Sequence, residues 1–250
     1  MTSCPARVSL VVASLLLVAA GPACCDEPAI VADRPGFGES ASAVGRGRLQ
    51  VETGFDWTRL DADTSSLDLP EPLLRFGLGG DVELRVGGPD WVVIRSPGAR
   101  TAGWTDASVG VKGHLAVRGH DVSLRATAYV PTGGTGFSSG RLDPELALAW
   151  SHGLSGSWSL GATVSQRWQR EIGQAFTSPS LSLGRSLGAN AATFVEYGAI
   201  VSPDSAPVHR FDHGYTWNPG PHTQLDVSFG VAFSSAPTSF FVGAGICHRF

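Results

Sequence analysis

Residues 48–58 read Arg-Leu-Gln-Val-Glu-Thr-Gly-Phe-Asp-Trp-Thr, and their alternation decides the fold. Leu49, Val51, Thr53, Phe55 and Trp57 fall on one face. Gln50, Glu52, Gly54, Asp56 and Thr58 fall on the other. A period of two belongs to a strand with one apolar and one wet face. The same period returns along the chain, at Leu74 to Leu78, Val82 to Val86, Ala107 to Lys112, Val122 to Val130, Glu145 to Trp150 and Trp158 to Val164. It continues, after a weaker stretch near Ser180 to Leu187, at Thr193 to Ala199, Arg210 to Trp217, Gln224 to Phe233 and Phe240 to Phe250. About twelve strands are expected, separated by clusters of Gly, Pro, Asn, Asp and Ser.

The connections differ by side. Gly79-Gly80-Asp81, Gly188-Ala189-Asn190 and Asn218-Pro219-Gly220-Pro221 read as tight turns. The segments Asp61 to Pro70, Ser96 to Trp104, Pro131 to Gly140, Glu171 to Ser178 and Ser202 to Val208 read as longer loops. Short turns on one side and longer loops on the other fit a bacterial outer-membrane barrel with an even strand number and both termini periplasmic.

Composition narrows the class. Charged residues make up 16% of the chain, below the roughly 25% of ordinary soluble domains. The only lysine is Lys112, the net charge is −4, and no basic stretch could track a nucleic-acid backbone, so nucleic acid is excluded as a partner. Residues 1–25 read as a secretory signal peptide: Arg7 supplies the positive start, Val8 to Ala20 the apolar run, and Ala20, Gly21 and Ala23 the small residues before cleavage. No later apolar run reaches the roughly 18 residues of a helical span. Cys24 and Cys25 raise lipidation, but Gly21 or Pro22 stands where a lipobox wants an aliphatic residue. Cys4 leaves with the signal and Cys247 lies at the far end, so no disulfide framework is expected.

A soluble barrel also alternates, with its apolar face inward. Three features favour lipid outside. The polar face is mostly Gly, Ser, Thr and Ala rather than the Lys and Glu of a soluble exterior. Trp57, Trp91, Trp104, Trp150, Trp158, Trp168, Tyr197, Tyr215 and Trp217 lie near strand ends, where amphipathic rings suit membrane–water girdles. The chain ends on Phe250 after an alternating strand, which resembles the signature read by the barrel-assembly machinery. His248 stands where an aromatic residue is common.

Asp33 to Ser40 (DRPGFGES), Gly47 to Phe55 (GRLQVETGF), Leu73 to Gly87 (LLRFGLGGDVELRVG), Asp106 to Leu115 (DASVGVKGHL), Tyr129 to Gly134 (YVPTGG), Phe194 to Gly198 (FVEYG), His222 to Phe233 (HTQLDVSFGVAF) and Phe240 to Phe250 (FFVGAGICHRF) occur in an order that resembles the outer-membrane barrel family of MetA-pathway phenol-degradation proteins, often labelled transporters. Gly36 and Gly38 depart from it, standing where bulkier or polar residues are usual. The resemblance implies an all-β transmembrane barrel that passes small organic, often aromatic, solutes, with outer-membrane lipids around it.

The expected organisation is a signal peptide over 1–25, a periplasmic or lumen-inserted segment over 26–47, and a barrel over 48–250. Lumen-lining candidates are Glu52, Asp56, Arg75, Glu83, Arg85, Lys112, Arg125, Tyr129, Glu145, Glu196, Arg210 and Asp226. Charges inside a barrel escape the cost of facing lipid. They serve either as a rigid salt-bridge filling or as a pathway selecting solutes by size and charge. Asp33, Arg34 and Glu39 are the residues of the N-terminal segment able to meet them. No cofactor or metal is implied, because no Cys or His spacing fits zinc. A rim-active hydrolase is the weaker alternative, for which Asp212 with His213 is the best acid–base pair. A closed structural barrel is the other alternative.

Overall fold

The computed structural model describes residues 29–234 and 238–250; the signal segment expected over 1–25 lies outside them. Among the described residues the regular structure is β throughout: β1 (Leu49–Arg59), β2 (Ser65–Leu69), β3 (Leu73–Gly79), β4 (Val82–Gly87), β5 (Trp91–Ser96), β6 (Ala99–Trp104), β7 (Ala107–Val117), β8 (His120–Val130), β9 (Asp143–Gly153), β10 (Trp158–Gln169), β11 (Gln174–Ser186), β12 (Ala191–Ser202), β13 (Ser205–Gly220), β14 (Thr223–Phe233) and β15 (Ser239–Arg249). Neighbours pair antiparallel, and β15 returns to β1, with Gln50 opposite Arg249 and Arg59 opposite Phe240. The pairs β2/β3, β4/β5 and β6/β7 are halves of single strands, so the wall is a closed barrel of twelve strands. Closure leaves no open edge, which a barrel in hydrocarbon requires.

The three split strands are adjacent and break at one level. Pro70 and Pro72 interrupt the first and Pro89 the second, because proline has no N–H for the ladder. The break is stitched by other hydrogen bonds. Gly54 N–H donates to the Pro70 carbonyl (2.8 Å), Gly88 N–H to that of Pro72 (2.8 Å) and Thr105 N–H to that of Asp90 (2.9 Å). The Asp106 carboxylate accepts the N–H groups of Gly133 (2.9 Å) and Ser139 (3.2 Å), tying the third break to the long loop that follows β8.

Strand content exceeds the sequence-based expectation. Residues within four of the expected longer loops are strand, at β2, β6 and the starts of β11 and β13. Their side chains do not alternate cleanly, so pairing with neighbours rather than local pattern decides them. Of those segments, only Pro131 to Gly140 holds no strand.

The apolar face points outward. Leu124 is 60% exposed and Trp217 53%, whereas Arg75, Lys112, Glu83 and Asp212 are fully buried inside. Aromatic pairs ring both ends: Trp91 with Trp104 (5.1 Å) and Trp57 with Phe240 (6.5 Å) at the end away from the termini, Trp150 with His120 (5.8 Å) at the other.

Candidate functional site

The lumen is occupied by residues 29–47, which form an inserted loop. Ile30 N–H donates to the Pro221 carbonyl at the end of the barrel that holds the termini (2.9 Å). The chain rises to an apex near Phe37. It descends past Val44, whose N–H donates to Glu83 Oε2 (2.7 Å), and joins β1. Ser40 N–H donates to Asp33 Oδ1 (3.0 Å), pinching the loop closed.

Alternation put the expected wall charges on one face, and closure of the barrel brings them together around this loop. Asp33 Oδ2 lies 2.6 Å from Arg85 Nη2, and Asp33 Oδ1 lies 3.3 Å from Lys112 Nζ and 3.5 Å from Arg75 Nη1. Arg75 also reaches Glu52 (2.8 Å) and Glu83 (2.9 Å), and Arg85 reaches Glu83 (2.6 Å). Glu39 pairs with Arg125 (2.9 Å), which also holds Glu145 (2.6 Å). Four wall cations, Arg75, Arg85, Lys112 and Arg125, thus meet three wall carboxylates, Glu52, Glu83 and Glu145. Asp33 and Glu39 of the loop supply the remaining negative charge. Buried charges persist only when paired and hydrogen-bonded, so wall and loop complete one another.

The opposite half of the loop meets wall carboxylates. Arg34 pairs with Glu71 and lies 3.5 Å from Asp226. Glu196 accepts the backbone N–H groups of Phe37 (2.6 Å) and Gly38 (2.9 Å) at the apex. Gly36 and Gly38 stand where they do because a Cβ at either would lie 2.5 Å or 2.7 Å from a Glu196 oxygen. The Arg210 guanidinium lies over the Phe37 ring (3.9 Å) and near Phe241 (5.4 Å). Tyr129 lies under Arg167 (3.4 Å) and donates to Glu145 (3.4 Å). Asp56 lines a cavity of about 350 Å³ beside Glu71, Asp90 and Asp106, at the level of the split strands.

Sequence reading missed Glu71, which sits between two prolines just past the expected loop Asp61 to Pro70, and Phe37, Phe241 and Arg167. Phe241 was legible by parity, since its neighbours Phe240 and Val242 were placed outward. Nothing local marked Phe37. The Asp212–His213 pair does not form. Adjacent strand residues point to opposite faces. Asp212 is buried inside, while His213 bonds Thr193 Oγ1 (2.8 Å) among Tyr215 and Phe229 on the outside.

Two cavities flank the apex. One of about 320 Å³ is lined by Arg85, Arg125, Glu145, Ser165 and Arg210, on the side of the barrel away from the termini. The other, about 550 Å³, opens toward the termini between the loop and Ser159, Gly161, Ser182, Gly184 and Phe194. Both touch Gly38, Glu39, Thr163 and Ser180. The charged half of the wall grips the loop, and the half built from Ser, Gly, Ala and Thr on β10 to β12 leaves the space. At the seam a Cβ on Gly38 would lie 2.7 Å from Ser180 Oγ and 3.1 Å from Thr163 Oγ1, so the two cavities are pinched apart there.

Residues 32–250 match the family model described as "Putative MetA-pathway of phenol degradation". Among solved structures, an outer membrane channel from Pseudomonas putida F1 superposes with a TM-score of 0.68 at 14% identity, covering 87% of this chain and 99% of that one. The NanC porin does so with a TM-score of 0.56 at 7% identity, covering 80% and 98%. The KdgM porin in complex with oligogalacturonate gives 0.52 at 9% identity, covering 80% and 99%. At these identities the likeness is one of fold, that of outer-membrane barrels. No curated protein matches the chain in sequence.

Proposed function

The chain belongs to the MetA-pathway phenol-degradation family, and from that premise we propose that it is a passive channel of the outer membrane for small organic solutes, its lumen regulated by residues 29–47. The observation that carries this reading is the pair of cavities meeting at the Gly38–Thr163–Ser180 seam. A path for solute runs along the small-residue wall and is interrupted at one contact with the loop apex. With both termini periplasmic, the cavity of about 320 Å³ faces outside and that of about 550 Å³ faces the periplasm. Twelve strands enclose more than side chains alone fill, since about eight strands are just filled. Phe37 and Phe194 give the path aromatic surface, which suits an aromatic solute. The structures it resembles are named as channels and porins, which supports a conduit over a hydrolase.

The ion-paired loop favours the second reading, a closed structural barrel. Planar-bilayer conductance and liposome swelling with small aromatic acids separate the two. The channel reading expects measurable wild-type swelling, and larger conductance after deletion of residues 29–46. Absence of both for the wild type, with conductance only in the deletion variant, would leave the closed barrel.

A further inference from the structure

Arg95 and Arg100 stand directly opposite one another on β5 and β6. The row continues through Ser65 on β2 to Arg59 at the end of β1. Residues opposed in an antiparallel ladder share a face. Here that face is the outer one, since it carries Phe55 (42% exposed) two rows below Arg59 and Trp104 (48% exposed) on β6. The next row toward the middle of the barrel is apolar, with Trp57, Leu67, Val93 and Ala102, and the one below holds Leu69, Trp91 and Trp104. Two residues along a strand span about 7 Å. The arginines therefore stand at the level where the apolar belt gives way to headgroups, at the end of the barrel away from the termini.

All three arginines are exposed. Arg59 donates to the backbone carbonyls of Asp61 (3.2 Å) and Ala62 (2.6 Å), not to a carboxylate. Asp61 spends Oδ1 on the N–H groups of Asp63 and Thr64 (2.8 Å each). Among the described residues the side chains of Arg95 and Arg100 have neither a hydrogen bond nor an ion pair. Like charges directly opposed across a ladder are destabilising, and nothing in the barrel relieves this pair. An anion from outside would. Guanidinium groups match phosphate oxygens in geometry and charge.

We propose that the Arg59–Arg95–Arg100 row docks the phosphorylated glycolipid of the outer leaflet, lipid A, with Arg95 and Arg100 sharing one of its phosphates. This rests on the outer-membrane residence proposed above. The test is binding of the purified full barrel in nanodiscs to bis-phosphorylated, monophosphoryl and dephosphorylated lipid A, read by native mass spectrometry. Wild type should prefer the bis-phosphorylated form over the dephosphorylated one. Replacing Arg95→Ser and Arg100→Ser together should reduce that preference about 25-fold, or about fivefold per arginine, and the Arg95→Lys and Arg100→Lys pair should restore most of it. Excess inorganic phosphate should not compete. Competition by phosphate would mean a free-anion site and overturn the glycolipid assignment. Equal binding of the three lipids by the wild type would overturn the proposal without any variant. Fractionation of the wild type away from the outer membrane would overturn residence as well, so the two failures are distinguishable.

Discussion

Glu196 on β12 holds Gly38 at the apex of the inserted loop: one carboxylate oxygen accepts the Gly38 N–H at 2.9 Å while the other accepts that of Phe37 at 2.6 Å. A Cβ on Gly38 would sit 2.7 Å from the same carboxylate, so the grip depends on glycine. Glu196→Gln turns one acceptor into a donor facing an N–H. A hydrogen bond to a charged group contributes about 1.5–3 kcal/mol. Amide exchange at Phe37 and Gly38 should therefore accelerate about ten- to a hundredfold, and unchanged protection would refute the clamp.

Asp33 is the acid on which Arg85, Lys112 and Arg75 converge. In Asp33→Asn the wall keeps its cations and loses one of the loop charges that neutralise them. Removing one partner of a buried ion pair costs about 3–5 kcal/mol. The loop should be cut faster by trypsin at Arg46, and single-channel conductance should rise. If cutting rate and conductance both stay at wild-type values, Asp33 does not hold the loop.

Arg210 lines the outer cavity and rests on Phe37 with no carboxylate ion pair among the described residues. Arg210→Ser should shift reversal potentials toward cation preference, most at low salt, because ions screen the lumen charges over about 8 Å at physiological ionic strength. A shift toward anions would contradict this account of the neck.

Leu124 is 60% exposed on the outer face, whereas Ser182 lines the inner cavity of about 550 Å³. Leu124→Arg should destabilise the barrel by about 2–4 kcal/mol if it lies near the midplane, measured by urea titration into lipid vesicles. Ser182→Arg should cost much less, since its charge meets water. Equal costs would mean that the faces are misassigned.

Residues 48–58 alone declared a two-faced strand, and the recurrence of their pattern carried the reading to about twelve such strands. Alternation is local, because the pleat of an extended chain puts neighbours on opposite faces wherever it occurs. It therefore reported which side each charge would take, including Arg75, Glu83, Lys112 and Glu196. It did not report β2, β5 and β6, which are only five or six residues long and for which ladder partners supply the order. The partners of the charges were beyond it too. Asp33 reaches Lys112 across 79 residues and Phe37 reaches Glu196 across 159. Those meetings exist only once β15 has closed on β1 and residues 29–47 have turned inward. The stretch from Asp33 to Ser40 carries no period of its own. Its place is decided by the charge that the closed wall leaves unbalanced and by the room that Gly36 and Gly38 leave for Glu196.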